Sequence, residues 1–184
     1  MNLTTVLTFI IISCLALLTI SLIYWSLRLG ITPTPTSPKV KQSLKSILPT
    51  PVHGEIHELG CGWGTLLPLL LKTYPNNNIL AYERSFLPRS IAKLIGHFYY
   101  PSIKITKQDF FQADLSKAGL IVCYLYPKAM EKLASHFKNT LPDDCWVISH
   151  TFRIPGWHPV KTLKANDLYK TPLYLYRTPS CPKE

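Results

Sequence analysis

The first twenty-seven residues contain no Asp, Glu, Lys, Arg or His. A stretch of this length with no polar face would be unusual as a buried core helix in so small a domain. Acidic residues are scarce everywhere: ten against twenty Lys and Arg, a net charge of +10 that falls wholly on residues 28–184. The five cysteines (Cys14, Cys61, Cys123, Cys145 and Cys181) are odd in number and include no C-x-x-C pair. That suggests neither a disulfide framework nor a zinc site, and no metal is expected; reduced thiols in a reducing compartment are the simplest reading. No internal repeat is present.

What the amino terminus does contain is apolar. Between Val6 and Leu27, thirteen residues are Leu, Ile, Val or Phe. About twenty such residues span a bilayer core of ~30 Å. Each contributes roughly −0.3 to −0.6 kcal/mol to insertion, so the interspersed Ser and Thr do not reverse the balance. A cleaved signal peptide would show a basic start, a shorter apolar run and a small-residue cleavage site. Residues 1–30 are therefore expected to be a transmembrane anchor. No Lys or Arg precedes it, whereas Arg28, Lys39, Lys41 and Lys45 follow. The positive-inside rule then makes this a single-pass membrane protein with its domain on the cytoplasmic side. The positive charge is compatible with nucleic acid. For a tethered domain an anionic lipid surface is the more economical partner, at about 1 kcal/mol per nearby Lys or Arg, and no nucleic acid is expected.

Residues 31–48 read as a Pro/Thr linker followed by a short helix. Val40, Leu44, Ile47 and Leu48 fall at helical spacing, Ser37 is a suitable cap and Pro38 suits the first turn. This helix is expected to lie near the membrane. From residue 49 to 184 strands and helices alternate. Strands are predicted at Ile56–Leu59, Asn78–Glu83, Ile103–Lys107, Leu120–Tyr126 and Trp146–Phe152. Helices are predicted at Thr65–Tyr74, Pro88–Phe98 and Pro127–Leu141. Val160–Leu163 and Leu173–Arg177 read as a final antiparallel pair. The alternation predicts an α/β fold with a mostly parallel sheet covered on both faces, with little room for an added substrate domain.

The chemistry concentrates in Glu58-Leu59-Gly60-Cys61-Gly62-Trp63-Gly64. An apolar strand runs into alternating glycines and then a helix, which lets the backbone pass close to a ligand. A dinucleotide fingerprint needs its third glycine at position 65, which is Thr65. The segment is G-x-G-x-G preceded by an acid, and it resembles the first motif of class I, seven-β-strand S-adenosylmethionine-dependent methyltransferases. The resemblance implies a Rossmann-like sheet and S-adenosylmethionine as cofactor, its methionine portion wrapped by Glu58, Gly60, Cys61, Gly62 and Gly64. Glu83, closing the next strand, fits a carboxylate accepting both ribose hydroxyls, a contact worth about 1.5–3 kcal/mol. In related methyltransferases a carboxylate after the third strand takes the adenine amino group and an apolar neighbour packs on the ring. Asp109 and Phe110 fit these roles, with Asp114 a competitor for the first.

A narrower resemblance runs through Asp114–Val122, Tyr126–Met130 and Phe152-Arg153-Ile154-Pro155-Gly156-Trp157-His158-Pro159. These stretches are similar to the membrane-anchored protein-lysine methyltransferases that modify the ATP synthase c subunit and the adenine nucleotide translocase, and to their prokaryotic relatives. Glu58 and Cys61-Gly62-Trp63 stand where many relatives have Asp and Ser-Gly-Asp. The resemblance implies a protein substrate in or near the membrane, methylated on a lysine side chain. Tyr124, Tyr126 and Pro127, at the carboxyl end of the fourth strand, are the candidates to line the acceptor site, and His150 and His158 are candidate proton acceptors. No N-P-P-Y motif follows that strand, which disfavours methylation of DNA or of glutamine amides. A small lipophilic acceptor, a quinone or lipid, would be served equally by the anchor. A non-catalytic cofactor-binding scaffold is a third reading.

Overall fold

The computed structural model describes residues 2–30, 32 and 34–179; Ile31 and Pro33 of the linker, and Cys181, lie outside them. Helix α1 (Leu3–Leu29) ends at Gly30, which takes the left-handed conformation and donates its N–H to the Ser26 carbonyl. At ~1.5 Å per residue it is about 40 Å long, and it is long and apolar enough to cross a membrane. Two of its hydroxyls are satisfied within the helix. Thr8 Oγ1 donates to the Thr4 carbonyl and Thr19 Oγ1 to the Leu15 carbonyl, both at 2.8 Å.

Helix α2 (Pro38–Ile47) starts where Ser37 Oγ accepts the Val40 N–H and Pro38 fills the first turn. Its stripe of Val40, Leu44 and Ile47 is buried in the core with Leu66, Leu67 and Leu70, so that face packs on the domain. The strands are β1 (Glu55–Leu59), β2 (Ile79–Tyr82), β3 (Lys104–Thr106), β4 (Ala118–Cys123), β5 (Trp146–His150), β6 (Lys161–Lys164) and β7 (Pro172–Arg177). They form one sheet in the order β3-β2-β1-β4-β5-β7-β6. The first five are parallel and β7 is antiparallel to both β5 and β6.

Three helices alternate with the parallel strands: α3 (Leu67–Thr73), α4 (Phe86–Tyr99) and α5 (Pro127–Thr140). On β4, Leu120 and Val122 face the core shared with α2, α3 and α4, whereas Ile121 and Cys123 face the one shared with α5. Every β4 position is buried, as expected for a central strand covered on both sides.

Several elements are shorter than the pattern predicts, for local reasons. Helix α3 begins at Leu67 because Pro68 occupies its first turn, where a missing N–H costs nothing. Strand β5 stops at His150, where Thr151 takes φ 74° and leaves the extended region. Strand β4 stops at Cys123, so Tyr124–Tyr126 leave the sheet before Pro127 opens α5.

Candidate active site at the carboxyl edge of the sheet

Strand register assembles the site. Tyr82, Leu59, Cys123 and Ser149 are aligned across β2, β1, β4 and β5. The next residues on those strands are therefore Glu83, Gly60, Tyr124 and His150. All four line one cavity of about 270 Å³, placed where open α/β sheets bind ligands.

After Leu59 the chain turns through Gly60, Gly62 and Gly64 with φ of 80°, 55° and 73°, values that favour glycine. The Gly60 and Cys61 N–H groups both donate to the Tyr82 carbonyl at 2.9 Å, tying the loop to β2. Gly60, Cys61 and Gly62 line the cavity. Gly64 is placed differently: a Cβ there would stand 2.8 Å from Tyr100 Oη and 3.1 Å from Ala92 Cβ, so it allows close packing on α4. The Cys61 thiol is buried, and desolvation raises its pKa.

Glu83 is buried, and both its oxygens are engaged by backbone. Oε2 accepts the Gly62 N–H at 2.8 Å and Oε1 the Ser85 N–H at 2.7 Å. A carboxylate oxygen can accept more than one hydrogen bond, so Glu83 is oriented with acceptor capacity to spare. Glu58 is buried beside it, and its Oε2 has no hydrogen-bond partner among the described residues. Desolvation first, and the nearby Glu83 second, raise the Glu58 carboxyl to about 8. It is therefore mostly protonated at neutral pH, and an arriving cation would favour its ionised form.

Asp109 also lines the cavity. Its Oδ2 accepts from Arg84 Nη1 at 2.8 Å, and its Oδ1 caps the short 3₁₀ turn Phe110–Gln112 through the Phe111 N–H at 3.2 Å. Phe110 and Phe111 stand on the same wall. Asp114 is exposed; its hydrogen bonds to Ser116 hold the carboxyl below its ordinary range, and it does not line the cavity.

Tyr124 and Tyr126 face the cavity, whereas Pro127 is exposed at the first turn of α5 and His158 is exposed elsewhere. Tyr124 stacks on His150 with ring centroids 4.0 Å apart. His150 is buried, and desolvation lowers its pKa to about 4, so the imidazole is neutral at physiological pH. Trp157, from the segment with the more particular resemblance, is buried between Phe137 and Tyr176, each at 6.0 Å.

Four cavity-lining residues come from the segment read as anchor and linker: Arg28, Thr32, Thr34 and Thr36. The Thr36 N–H donates to Thr65 Oγ1 at 3.1 Å, and a Cβ on Gly30 would stand 2.9 Å from the Tyr126 ring. Sequence reasoning assigned these residues no place in the site, since no local pattern brings a segment back over a strand end. The Arg84–Asp109 pair was missed for the same reason.

The arrangement suits S-adenosylmethionine. It joins a glycine loop open to close approach, a buried unpartnered carboxyl oxygen suited to a cationic group, and an oriented carboxylate at the end of β2. When bound, that cofactor supplies a methyl group made electrophilic by its sulfonium. Among the described residues no group of three or more His, Cys, Asp or Glu could hold a metal.

The sheet order, the antiparallel β7 and this cavity define a class I S-adenosylmethionine-dependent methyltransferase. Residues 58–161, more than half of the chain, match the model of the ANTKMT methyltransferase domain, and the chain belongs to that family. It is 25% identical over 135 residues to a protein-lysine N-methyltransferase of Saccharolobus islandicus, covering 72% of this chain and 84% of that one. Among solved structures, an RNA methyltransferase from Salinibacter ruber in complex with S-adenosyl-L-homocysteine matches with a TM-score of 0.68. The identity is 22%, over 82% of this chain and 95% of that one. Magnesium protoporphyrin IX methyltransferase from Synechocystis with bound cofactor matches at a TM-score of 0.56 and 14% identity, over 76% and 80% of the two chains. At these identities the two structures speak for the fold alone.

Proposed function

We propose that this methyltransferase is anchored in a membrane by α1 and N-methylates lysine side chains of proteins in or beside that membrane, with its domain on the cytoplasmic, lipid-negative side. The observation that carries the proposal is the wall formed by Arg28, Thr32, Thr34 and Thr36, which joins the end of the apolar helix directly to the cavity. Chemistry performed there takes place within a short reach of the bilayer. The family and the protein-lysine N-methyltransferase relative support lysine as the acceptor. The excess of positive charge, awkward for attracting lysine from solution, is suited to an anionic lipid surface.

In this reading Glu58 and the Gly60–Gly62 loop hold the methionine portion of the cofactor. Glu83 accepts the ribose hydroxyls, Asp109 takes the adenine amino group, and Phe110 packs against the ring. Tyr124 and Tyr126 hold the lysine. A free lysine has a pKa of ~10.4, so neutralising it at pH 7 costs roughly 4.6 kcal/mol. Partial desolvation in the cavity lowers that cost. Aromatic faces hold the amine by cation–π attraction before it loses its proton. Transfer is an in-line displacement, in which alignment supplies much of the acceleration. The His150 stack contributes by fixing the Tyr124 ring.

Comparing intact masses of membrane proteins from cells with and without the gene tests the proposal. One protein should lose the mass of one to three methyl groups, located to lysine by peptide sequencing. A missing methylated quinone or lipid would point instead to a small lipophilic acceptor. Cofactor binding with no change in any methylated product would point to a scaffold.

A further inference from the structure

Helix α4 is built inside out for a soluble domain. Its buried face is Pro88, Ala92 and Gly96, and a Cβ on Gly96 would stand 2.7 Å from the Tyr100 ring, so only small residues fit there. Several of its large apolar residues are left exposed. Leu87, Ile91, Leu94 and Phe98 recur at the spacing of a single helical stripe, half-buried at Leu87 and Ile91 and exposed at Leu94 and Phe98. Leu94 is 64% exposed and Phe98 72%; Phe86 and Tyr99 at the two ends are 61% and 77% exposed. Single exposed apolar residues are ordinary, but several gathered on one helix mark a contact surface.

Two observations identify what covers it. The first is continuity: α1 packs against α4, and its half-buried residues Ser21, Leu22, Trp25 and Ser26 lie in its carboxyl-terminal third. That end also carries Tyr24, Trp25 and Arg28, the residue types that sit at the membrane–water boundary. The second is charge. From Arg84 to Gln108 there is no Asp or Glu, while Arg84, Arg89, Lys93, Lys104 and Lys107 are present. Lys93 and His97 are exposed on the flank of the stripe. An apolar stripe beside a basic flank is the pattern of a helix lying in a lipid interface.

We infer that α4 is a second membrane contact: its Leu94/Phe98 face is seated in the interfacial layer of the bilayer that α1 crosses, with Lys93 and His97 toward anionic headgroups. The inference rests on the anchored reading above. Because α4 follows Glu83–Ser85 directly, seating it fixes the height and tilt of the cavity relative to the lipid surface. Lysines at the boundary layer are then the acceptors within reach, and lysines far out in the aqueous phase are not.

The test uses the full chain in phosphatidylcholine/phosphatidylglycerol vesicles. With Cys14→Ser and Cys181→Ser in place, a polarity-sensitive fluorophore is attached at Leu94→Cys, at Phe98→Cys, or at Ser135→Cys on the exposed side of α5. The expected result is a blue shift and quenching by shallow doxyl-lipids at the two α4 positions, with the Ser135 label remaining water-like. A label on native Cys14, within α1, reports the anchor independently. Deep quenching at Cys14 with water-like labels on α4 would overturn this inference and leave the anchor standing. An unquenched Cys14 label would overturn the anchor as well. Labels on α4 that are shielded from water yet unquenched by any doxyl-lipid would assign the face to a protein, and would equally overturn the inference.

Discussion

Replacing Glu58 by Gln removes an ionisation that the fold opposes. Burial and the neighbouring Glu83 raise this carboxyl from 4.5 to about 8. A raised carboxyl pKa means that the unfolded chain gives up its proton first. The stability that Glu58 allows is complete below the unfolded value and is lost as pH rises through the folded one. At ~1.36 kcal/mol per pH unit over this interval, the loss reaches about 3 kcal/mol at pH 7 and about 5 above pH 8. Glu58→Gln has no such loss, so in detergent micelles the urea midpoint of the ligand-free variant should gain steadily on that of the unsubstituted full chain as pH rises from 5 to 8. Cofactor binding should reverse the order. If Glu58 meets the cationic methionine end as a carboxylate, binding at pH 7 releases nearly one proton, since a group with a pKa of about 8 is roughly nine-tenths protonated there. Calorimetry in buffers of different ionisation enthalpy reads that proton directly, and Glu58→Gln should abolish it and weaken binding about tenfold or more. Parallel stability curves for the two proteins, or tight binding by the variant without proton release, would refute the reasoning.

Asp109→Asn should weaken cofactor binding by about tenfold, because it removes a charge-assisted acceptor on the cavity wall, while Asp114→Asn leaves it unchanged; calorimetry on the pair decides which carboxylate meets adenine. His150→Phe should retain the stack on Tyr124 and keep kcat within about tenfold; a loss beyond ~100-fold, the lower end of a general base's contribution, would make the imidazole the proton acceptor. The same variant should resist acid better, because a buried His with its pKa lowered to about 4 costs stability as pH falls from 6.5 toward 4, up to about 3 kcal/mol. Gly119→Ala should destabilise by about 2 kcal/mol or more, since the new Cβ would overlap the His53 carbonyl oxygen, and thermal melts test this without reference to activity.

The glycine loop and Glu83 were legible because their chemistry is local. A strand, a turn needing positive φ and the next strand's carboxyl end follow one another at short spacing, and strand pairing then brings Gly62 N–H and Glu83 Oε2 to 2.8 Å. Tyr124 could be placed from its position at the carboxyl end of an apolar strand, but its stack on His150 could not. That contact joins the ends of β4 and β5, 26 residues apart in the chain. Glu58 shows the same division. Its position before the glycines is visible in the sequence, whereas its protonation depends on how completely packing removes water and how close Glu83 stands.

The amino-acid sequence by itself determined the element order, the parallel sheet with its closing hairpin and an apolar helix able to cross a bilayer, while the cofactor class came from the family that the glycine motif resembles. The elements follow from periodicity, turn chemistry and the cost of burying charge, which act over a few residues. Only the tertiary structure decided that the linker is a wall of the cavity, that α2 turns its apolar stripe inward, and that α4 turns its own outward beside α1. Binary pattern shows that a helix has an apolar face; what that face meets depends on the small residues Pro88, Ala92 and Gly96 filling the inner side first, which only the packing of the whole chain establishes.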